Sequence, residues 1–362
     1  MGQPTATPAT RFDNPDMLTA AEPPEHRGLA RDEVRLLAAT GAGVSHALFR
    51  DLPLFLAAGD LLVVNDSATV VAALDARRQG ISPSVVHLAN ELDDGTRVVE
   101  LRSFPDAAKP VLDASAGEVI EVRGGVRLTL VEPYPVRGGS APGVGNRLWR
   151  ARVGGRSLGV ALRIHGRPIA YGYLSGRFPL TDYQTVFGVN PGSAEMASAA
   201  RPFTRALVTR LASCGVGIAS VTLHTGVSSQ DAGEPPQPER FEVGADATHL
   251  VNATKSAGGR VIAVGTTATR ALETVADPVG VVAPGAGWTE RLISPEDPAR
   301  VVDGLITGWH NPDASHLLLV ESVAGPVLTQ RAYAAAYAAG YLWHEFGDSC
   351  LLLPAPRRPV PV

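Results

Sequence analysis

The sequence predicts an α/β protein whose mostly parallel sheet carries helices on both faces and an inserted antiparallel β-barrel-like domain. Three observations predict it. From about residue 180 onward, apolar runs alternate with amphipathic stretches in the order strand, turn, helix, the pattern of a sheet covered on both sides. Between about 76 and 165, short runs alternate apolar and polar residues with a period of two and without helical segments. At 362 residues, with 45% apolar and 19% charged residues, the chain is long enough for two cores of ordinary globular composition.

The elements follow in order. Residues 1–28 contain five prolines and no apolar segment of signal-peptide type, so they are expected to be a disordered leader. RDEVRLLAA (31–39) opens the folded part, and GDLLVVND (59–66) is a buried strand leaving through Asn65 and Asp66. RVVELRSF, EVIEVRGG, VRLTLVEP and RLWRARV are the strands of the inserted domain, expected over 76–165, within an α/β domain of 29–75 and 166–362. FTRALVTRLASCG (203–215) is an amphipathic helix closed by Gly215. VGIASVTLHTG (216–226) is a strand ending at His224, followed by a long Pro-, Ser- and Gln-containing loop over 227–238, expected to be functional or mobile. ATHLVNATKSAGG (247–259) is a helix, RVIAVG (260–265) a strand and TTATRALETVA a helix. VDGLITGWHNP (302–312) is a strand running into a His-bearing turn, and SHLLLVESVAG and QRAYAAAYAAG are helical.

Composition excludes several classes. No stretch approaches the ~18 apolar residues of a membrane span, and no membrane partner is expected. Two cysteines, Cys214 and Cys350, give neither a disulfide framework nor metal-ligand spacing, so a cytoplasmic protein without a metal is expected. No phosphate-binding loop, dinucleotide-binding glycine motif or nucleophile elbow occurs. The net charge of −4 hides an asymmetry: between Glu132 and Asp182 there is no acidic residue but eight arginines, at 137, 147, 150, 152, 156, 163, 167 and 177. Such a run is either a solvated surface or a positive field for phosphates.

In open α/β sheets, ligands sit outside the carboxyl ends of the strands. The strand ends here carry Asn65 and Asp66, His224, Thr266 and Thr267, and His310. If these strands are parallel neighbours, the residues share one rim. Thr266, Thr267 and Arg270 at a helix start have two readings: capping of the first turn, or an anion site of free N–H groups, hydroxyls and a guanidinium.

The strings GDLLVVNDSATV, DYQTVF, VTLHTG, AVGTTATRALE, DGLITGWHNP and FGDSCLL, with RDEVRLL at 31–37, occur in order over about 31–353. Together they resemble the motifs of the S-adenosylmethionine:tRNA ribosyltransferase-isomerases of queuosine biosynthesis. The resemblance implies an α/β domain with an inserted barrel. It implies transfer and isomerisation of the ribosyl part of S-adenosylmethionine onto a 7-aminomethyl-7-deazaguanine in tRNA, giving epoxyqueuosine with release of adenine and methionine. The sulfonium acidifies the C5′ hydrogens, a base removes one, adenine leaves, the amine adds, and epoxide closure expels methionine. S-adenosylmethionine is the co-substrate and no metal is needed.

Carried over residue by residue, the resemblance makes His224, His310 and Asp348 the catalytic candidates. Thr266, Thr267 and Arg270 become candidates for the methionine carboxylate or a phosphate. Asn65, Asp66, Gln184, Thr185 and Glu239 join them as substrate-binding candidates, and the Arg-rich 137–177 region as the tRNA contact. The chain departs from the family at EMASAARPF (195–203, Pro202 for His), Ser228–Gln230, Pro236–Pro238, Asp313, LWHEF (342–346) and Ala73. These departures leave three readings: the tRNA enzyme, a divergent paralogue using S-adenosylmethionine with a small-molecule acceptor, or a non-catalytic RNA-binding relative.

Overall fold

The computed structural model describes residues 7–13, 18–78, 82–135, 145–227, 236–312 and 314–355. Arg137, Ser228, Ser229, Gln230, Asp313 and most of the 227–238 loop lie outside them. The chain begins with β1 (Arg35–Thr40), β2 (Gly43–Leu48), β3 (Leu61–Asn65) and β4 (Ser67–Thr69). A closed barrel follows, of β5 (Ala73–Arg78), β6 (Pro83–Glu91), β7 (Arg97–Ser103), β8 (Val119–Val122), β9 (Val126–Pro133) and β10 (Leu148–Gly155). After α1 (Leu158–His165) come β11 (Asn190–Ser193), α2 (Arg205–Ser213), β12 (Gly217–His224), β13 (Glu239–Val243), α3 (Ala245–Ser256) and β14 (Val261–Val264). The chain closes with α4 (Thr266–Thr274), β15 (Gly285–Thr289), β16 (Gly304–Thr307), α5 (Ser315–Ala324), α6 (Pro326–Ala338) and β17 (Ser349–Leu353).

The main sheet runs β15-β13-β12-β3-β14-β16-β17-β1-β2. Its centre, β12-β3-β14-β16, is parallel throughout, as the strand–turn–helix pattern predicts. β17 pairs antiparallel with β16 and parallel with β1, and the outer pairings at both edges are antiparallel. The sheet is therefore mixed, and its short edge runs such as GAGWT (285–289) carry no apolar periodicity that separates them from loop. Strand residues alternate between two cores. Leu61, Val63, Val261, Ala263 and Leu305 face α3 to α6, whereas Leu62, Val64, Ile262, Val264 and Ile306 face α2 and the turns at 49–55 and 198–200. Burial on both faces explains why LLVVN is apolar without alternation.

The barrel uses the same period of two. Leu74, Val86, Val99, Leu101, Leu128 and Trp149 fill its interior, which α1 plugs with Ala161. Ala73, Val85, Val98 and Leu148 point outward against Ile169, Tyr171, Ala194 and Val227. His87, Glu100 and Arg102 share that outward parity, so a buried ionic cluster lies where the barrel meets the segment after α1.

Two expectations need correction. The described parts of the 1–28 leader are packed: Thr10 N and Oγ1 each donate to Glu321 Oε1 at 2.6 Å, and the Phe12 ring lies 5.0 Å from that of Tyr333. Glu321 is 3% exposed, so its carboxylate needs donors that the proline-rich segment supplies. The arginine run is also less bare than its linear charge suggests. Arg147 bonds Glu100 at 2.9 Å, Arg150 bonds Glu132 at 2.7 Å and also Asp94, and Arg167 bonds Asp75 at 2.7 Å. Arg152, Arg156, Arg163 and Arg177 remain exposed.

Candidate active site

The carboxyl ends of β12, β3, β14 and β16 share one rim, as the parallel reading requires. Asn65, fully buried, ties it together. Its Nδ2 donates to Leu223 O at 2.8 Å and Thr267 Oγ1 at 3.3 Å, and its Oδ1 accepts from Leu223 N at 3.0 Å and Ser67 N at 3.1 Å. All its polar capacity is thereby used within the protein. One oxygen of Asp66 is engaged as well, Oδ1 accepting from Thr222 Oγ1 at 2.6 Å and Asn190 Nδ2 at 3.1 Å.

A cavity of about 530 Å³ opens between this rim, the barrel and the 167–178 segment. At the rim end its wall includes Thr266, Thr267, Arg270 and His310. Gly265 enters α4 at φ 94°, a left-handed conformation that favours glycine. No side chain caps the helix, so the capping reading of Thr266 and Thr267 does not hold, and Gly265, Thr266 and Thr267 at its start line the cavity. Arg270 is anchored from behind: Nη1 donates to Glu239, and Nη2 donates to Gln237 O at 2.9 Å and Thr289 O at 3.3 Å. Burial raises Glu239 above the usual carboxylate range, against the pull of Arg270 and the Gly226 N–H. The Nε of Arg270 makes no protein hydrogen bond.

His310 lies on the cavity wall, its Nε2 2.9 Å from Thr307 Oγ1. Its ring stacks on that of His316, and desolvation holds both below the ordinary histidine value, His316 at about 4. Both are neutral at pH 7, the form that accepts a proton. The cavity wall also holds residues that motif reading does not reveal. Tyr171 Oη donates to Glu195, Tyr173 Oη donates to Glu345, and Tyr173 stacks on His344 at 4.6 Å. Desolvation pushes Glu345 up to about 7, although the Tyr173 hydrogen bond opposes it. Glu195 and Glu345 fall inside EMASAARPF and LWHEF; a carboxylate arriving in each of two departing blocks was the available signal.

Other sequence candidates lie outside the cavity wall. His224 Nδ1 is 2.7 Å from Ser67 Oγ, and its ring fits because position 192 is glycine; a Cβ there would lie 2.5 Å from Nδ1. Burial lowers His224, with Asp66 opposing. Asp348 accepts from Arg35 N at 2.8 Å, Arg35 Nε at 3.0 Å and Leu342 N at 2.9 Å, which joins β1 to the loop before β17 rather than addressing a ligand. Gln184 clamps Thr69 by bonds to its N and O, and Thr185 accepts from Phe187 N. Among the described residues, no group of three or more His, Cys, Asp or Glu is placed to hold a metal ion, and no helix is long and apolar enough to cross a membrane.

A family described as queuosine biosynthesis protein matches residues 8–352. The chain belongs to that family. It is 37% identical over 346 residues to the S-adenosylmethionine:tRNA ribosyltransferase-isomerase of Acidiphilium cryptum, covering 92% of this chain and 95% of that one. It is 35% identical to the enzyme of the same name from Symbiobacterium thermophilum, covering 94% and 98%. The crystal structure of the S-adenosylmethionine tRNA ribosyltransferase of Thermotoga maritima has the same fold, with a TM-score of 0.51, 24% identity and coverage of 94% of this chain and 99% of that one.

Proposed function

We propose that this member of the queuosine biosynthesis family is a transferase that moves and isomerises the ribosyl moiety of S-adenosylmethionine onto a 7-aminomethyl-7-deazaguanine in tRNA. Epoxyqueuosine forms, and adenine and methionine leave. The observation that carries this reading is the match, over nearly the whole length of both chains, to relatives bearing that enzyme name. The cavity at the strand ends supplies the groups the reaction asks for. Neutral His310 is the base for the acidified C5′ hydrogen, with His316 stacked behind it. The N–H groups at the start of α4 and the hydroxyls of Thr266 and Thr267 hold the methionine carboxylate, with the buried Arg270 guanidinium supplying positive charge behind them. Asn65, Asp66 and Glu239 position these groups, and His224, Gln184, Thr185 and Asp348 support the rim without touching substrate.

The α/β domain carries the S-adenosylmethionine end, and the inserted domain, whose barrel begins at Ala73 rather than at the expected residue 76, guides tRNA by its exposed arginines 152, 156 and 163, joined by Arg177. The work is done in the cytoplasm, where tRNA is modified, and uses no metal. Incubation with S-adenosylmethionine and tRNA bearing the aminomethyl base should release adenine; its absence would overturn the reading.

A further inference from the structure

The main chain of His310 is held from behind by two aromatic side chains. Its N–H donates to Tyr333 Oη and its C=O accepts from Trp343 Nε1, each at 3.4 Å. Both rings are fully buried. Trp309, the residue before His310, packs on both: its ring lies 5.0 Å and 84° from Tyr333, and 5.3 Å and 30° from Trp343. The side chain of His310 is fixed as well, by Thr307 at Nε2 and by the stacked ring of His316. His316 is on α5, Tyr333 on α6 and Trp343 on the loop before β17. The histidine therefore sits where three separate pieces of chain meet, and its place depends on how those pieces are held together.

The N-terminal segment joins them. Thr10 donates twice to Glu321, on the same helix as His316. Arg11 N donates to Gln330 Oε1 on α6 at 2.8 Å, and Arg11 O accepts from Gln330 Nε2 at 3.0 Å. The Phe12 ring lies 5.0 Å from that of Tyr333 and 6.3 Å from that of Trp343. Further along, Trp343 N donates to Leu18 O at 2.8 Å, and Ala20 N donates to Trp343 O at 3.1 Å. Three consecutive residues thus reach α5, α6 and the loop before β17, and Phe12 touches both rings that bond His310. We propose that Phe12 is a positioning residue for His310, acting through Tyr333 and Trp343. The inference rests on the base role given to His310 above. Phe12 is only partly buried, so truncating it opens a gap on one side of the two rings. The rings then relax toward the gap and carry the His310 main chain with them. A base displaced by about 1 Å from its proton loses on the order of 100-fold in rate.

The test compares wild type with Phe12→Ala, Phe12→Leu, Phe12→Tyr, Tyr333→Phe and the double variant Phe12→Ala with Tyr333→Phe, all as full-length protein. Leu211→Val, on α2 in the other core, controls for lost stability. Adenine release from S-adenosylmethionine with acceptor tRNA is measured per folded protein, well below every melting temperature. Phe12→Ala should lower kcat by about 10-fold or more, with KM and the thermal shift produced by S-adenosylmethionine nearly unchanged. Phe12→Leu should fall between, and Phe12→Tyr, which keeps the ring, should restore the wild-type rate. Tyr333→Phe keeps its ring but loses the acceptor for the His310 N–H, and should lower kcat by about 3-fold or more. The double variant should lose less than the product of the single losses, because both act through His310. Leu211→Val should lower the melting temperature and leave kcat unchanged. A wild-type kcat in Phe12→Ala or, should that variant not fold, in Phe12→Leu would overturn the assignment. So would a loss that Phe12→Tyr does not rescue, losses that multiply, or an equal loss in Leu211→Val. Wild-type protein that releases no adenine, or a His310→Ala variant as fast as wild type, would instead overturn the reading on which the assignment rests.

Discussion

His310 and His316 lie face to face, ring centroids 4.9 Å apart and 5° from parallel. Two imidazoles in that contact cannot both be charged without mutual repulsion, and desolvation already lowers each. A histidine whose folded pKa is below its unfolded value of ~6.5 gives stability that is present above that pH and is lost as pH falls toward the folded value. The melting temperature should therefore fall between about pH 6.5 and about pH 4. His316→Phe, which keeps a stacking ring without a titratable nitrogen, should flatten that slope by an amount on the order of 1–3 kcal/mol. Thermal unfolding across this range checks it.

His310 should matter for chemistry more than for folding. His310→Ala should cut turnover by about 100-fold or more while the thermal shift produced by S-adenosylmethionine persists. An active variant would remove His310 from the base role. His224→Ala should lower turnover far less, because its ring addresses Ser67 outside the cavity wall.

Asn65→Ala removes one side chain but strands several partners. The N–H groups of Leu223 and Ser67 lose their shared acceptor, and Leu223 O loses a donor, all at a buried site. Each unsatisfied buried group costs about 1–3 kcal/mol, so the variant should be destabilised by at least about 2 kcal/mol. Urea unfolding reads this directly, and Asn65→Asp should rescue only the acceptor half.

Arg270 and Glu239 form a pair in which removing one member is worse than removing both. Glu239→Ala leaves a guanidinium that is 7% exposed without its counter-charge, a loss of about 3–5 kcal/mol. Glu239→Ala combined with Arg270→Met should cost less than the sum of the single changes. Additive losses in a double-mutant cycle would deny the coupling.

The exposed arginines make a separable prediction. Reversal of Arg156 and Arg163 to glutamate should weaken tRNA binding and make the dependence of log affinity on log salt shallower, by about 1 for every phosphate that the protein ceases to neutralise. Binding of S-adenosylmethionine should be unaffected, as read by thermal shift.

How much of this was legible in the sequence depended on which residues carried the information. The central strands were readable because LLVVN and VIAV are continuously apolar, and the rim followed because their ends are polar. β13 and β15 were not, since an edge pair needs no apolar period. Thr266, Thr267, Arg270 and His310 stand out by spacing and motif, and they do line the cavity. Asp348 carries an equally good motif, yet its oxygens are consumed by Arg35 and Leu342, and the bonds to Arg35 span more than three hundred residues of chain. Glu195 and Glu345 carried only the weak signal of a carboxylate in each departing block, and each becomes informative only beside the tyrosine that the 167–178 segment delivers.

That segment has an evolutionary consequence. Thr266, Thr267 and His310 sit on α4 and the turn after β16, while Tyr171 and Tyr173 sit on the connector leaving the barrel. Two parts of the cavity wall thus belong to segments far apart in the chain. Drift in the connector and in the LWHEF block can therefore reshape one part of the wall directly, whereas EMASAARPF also packs Ala199 against Gly265, so change there is felt at the Gly-Thr-Thr turn.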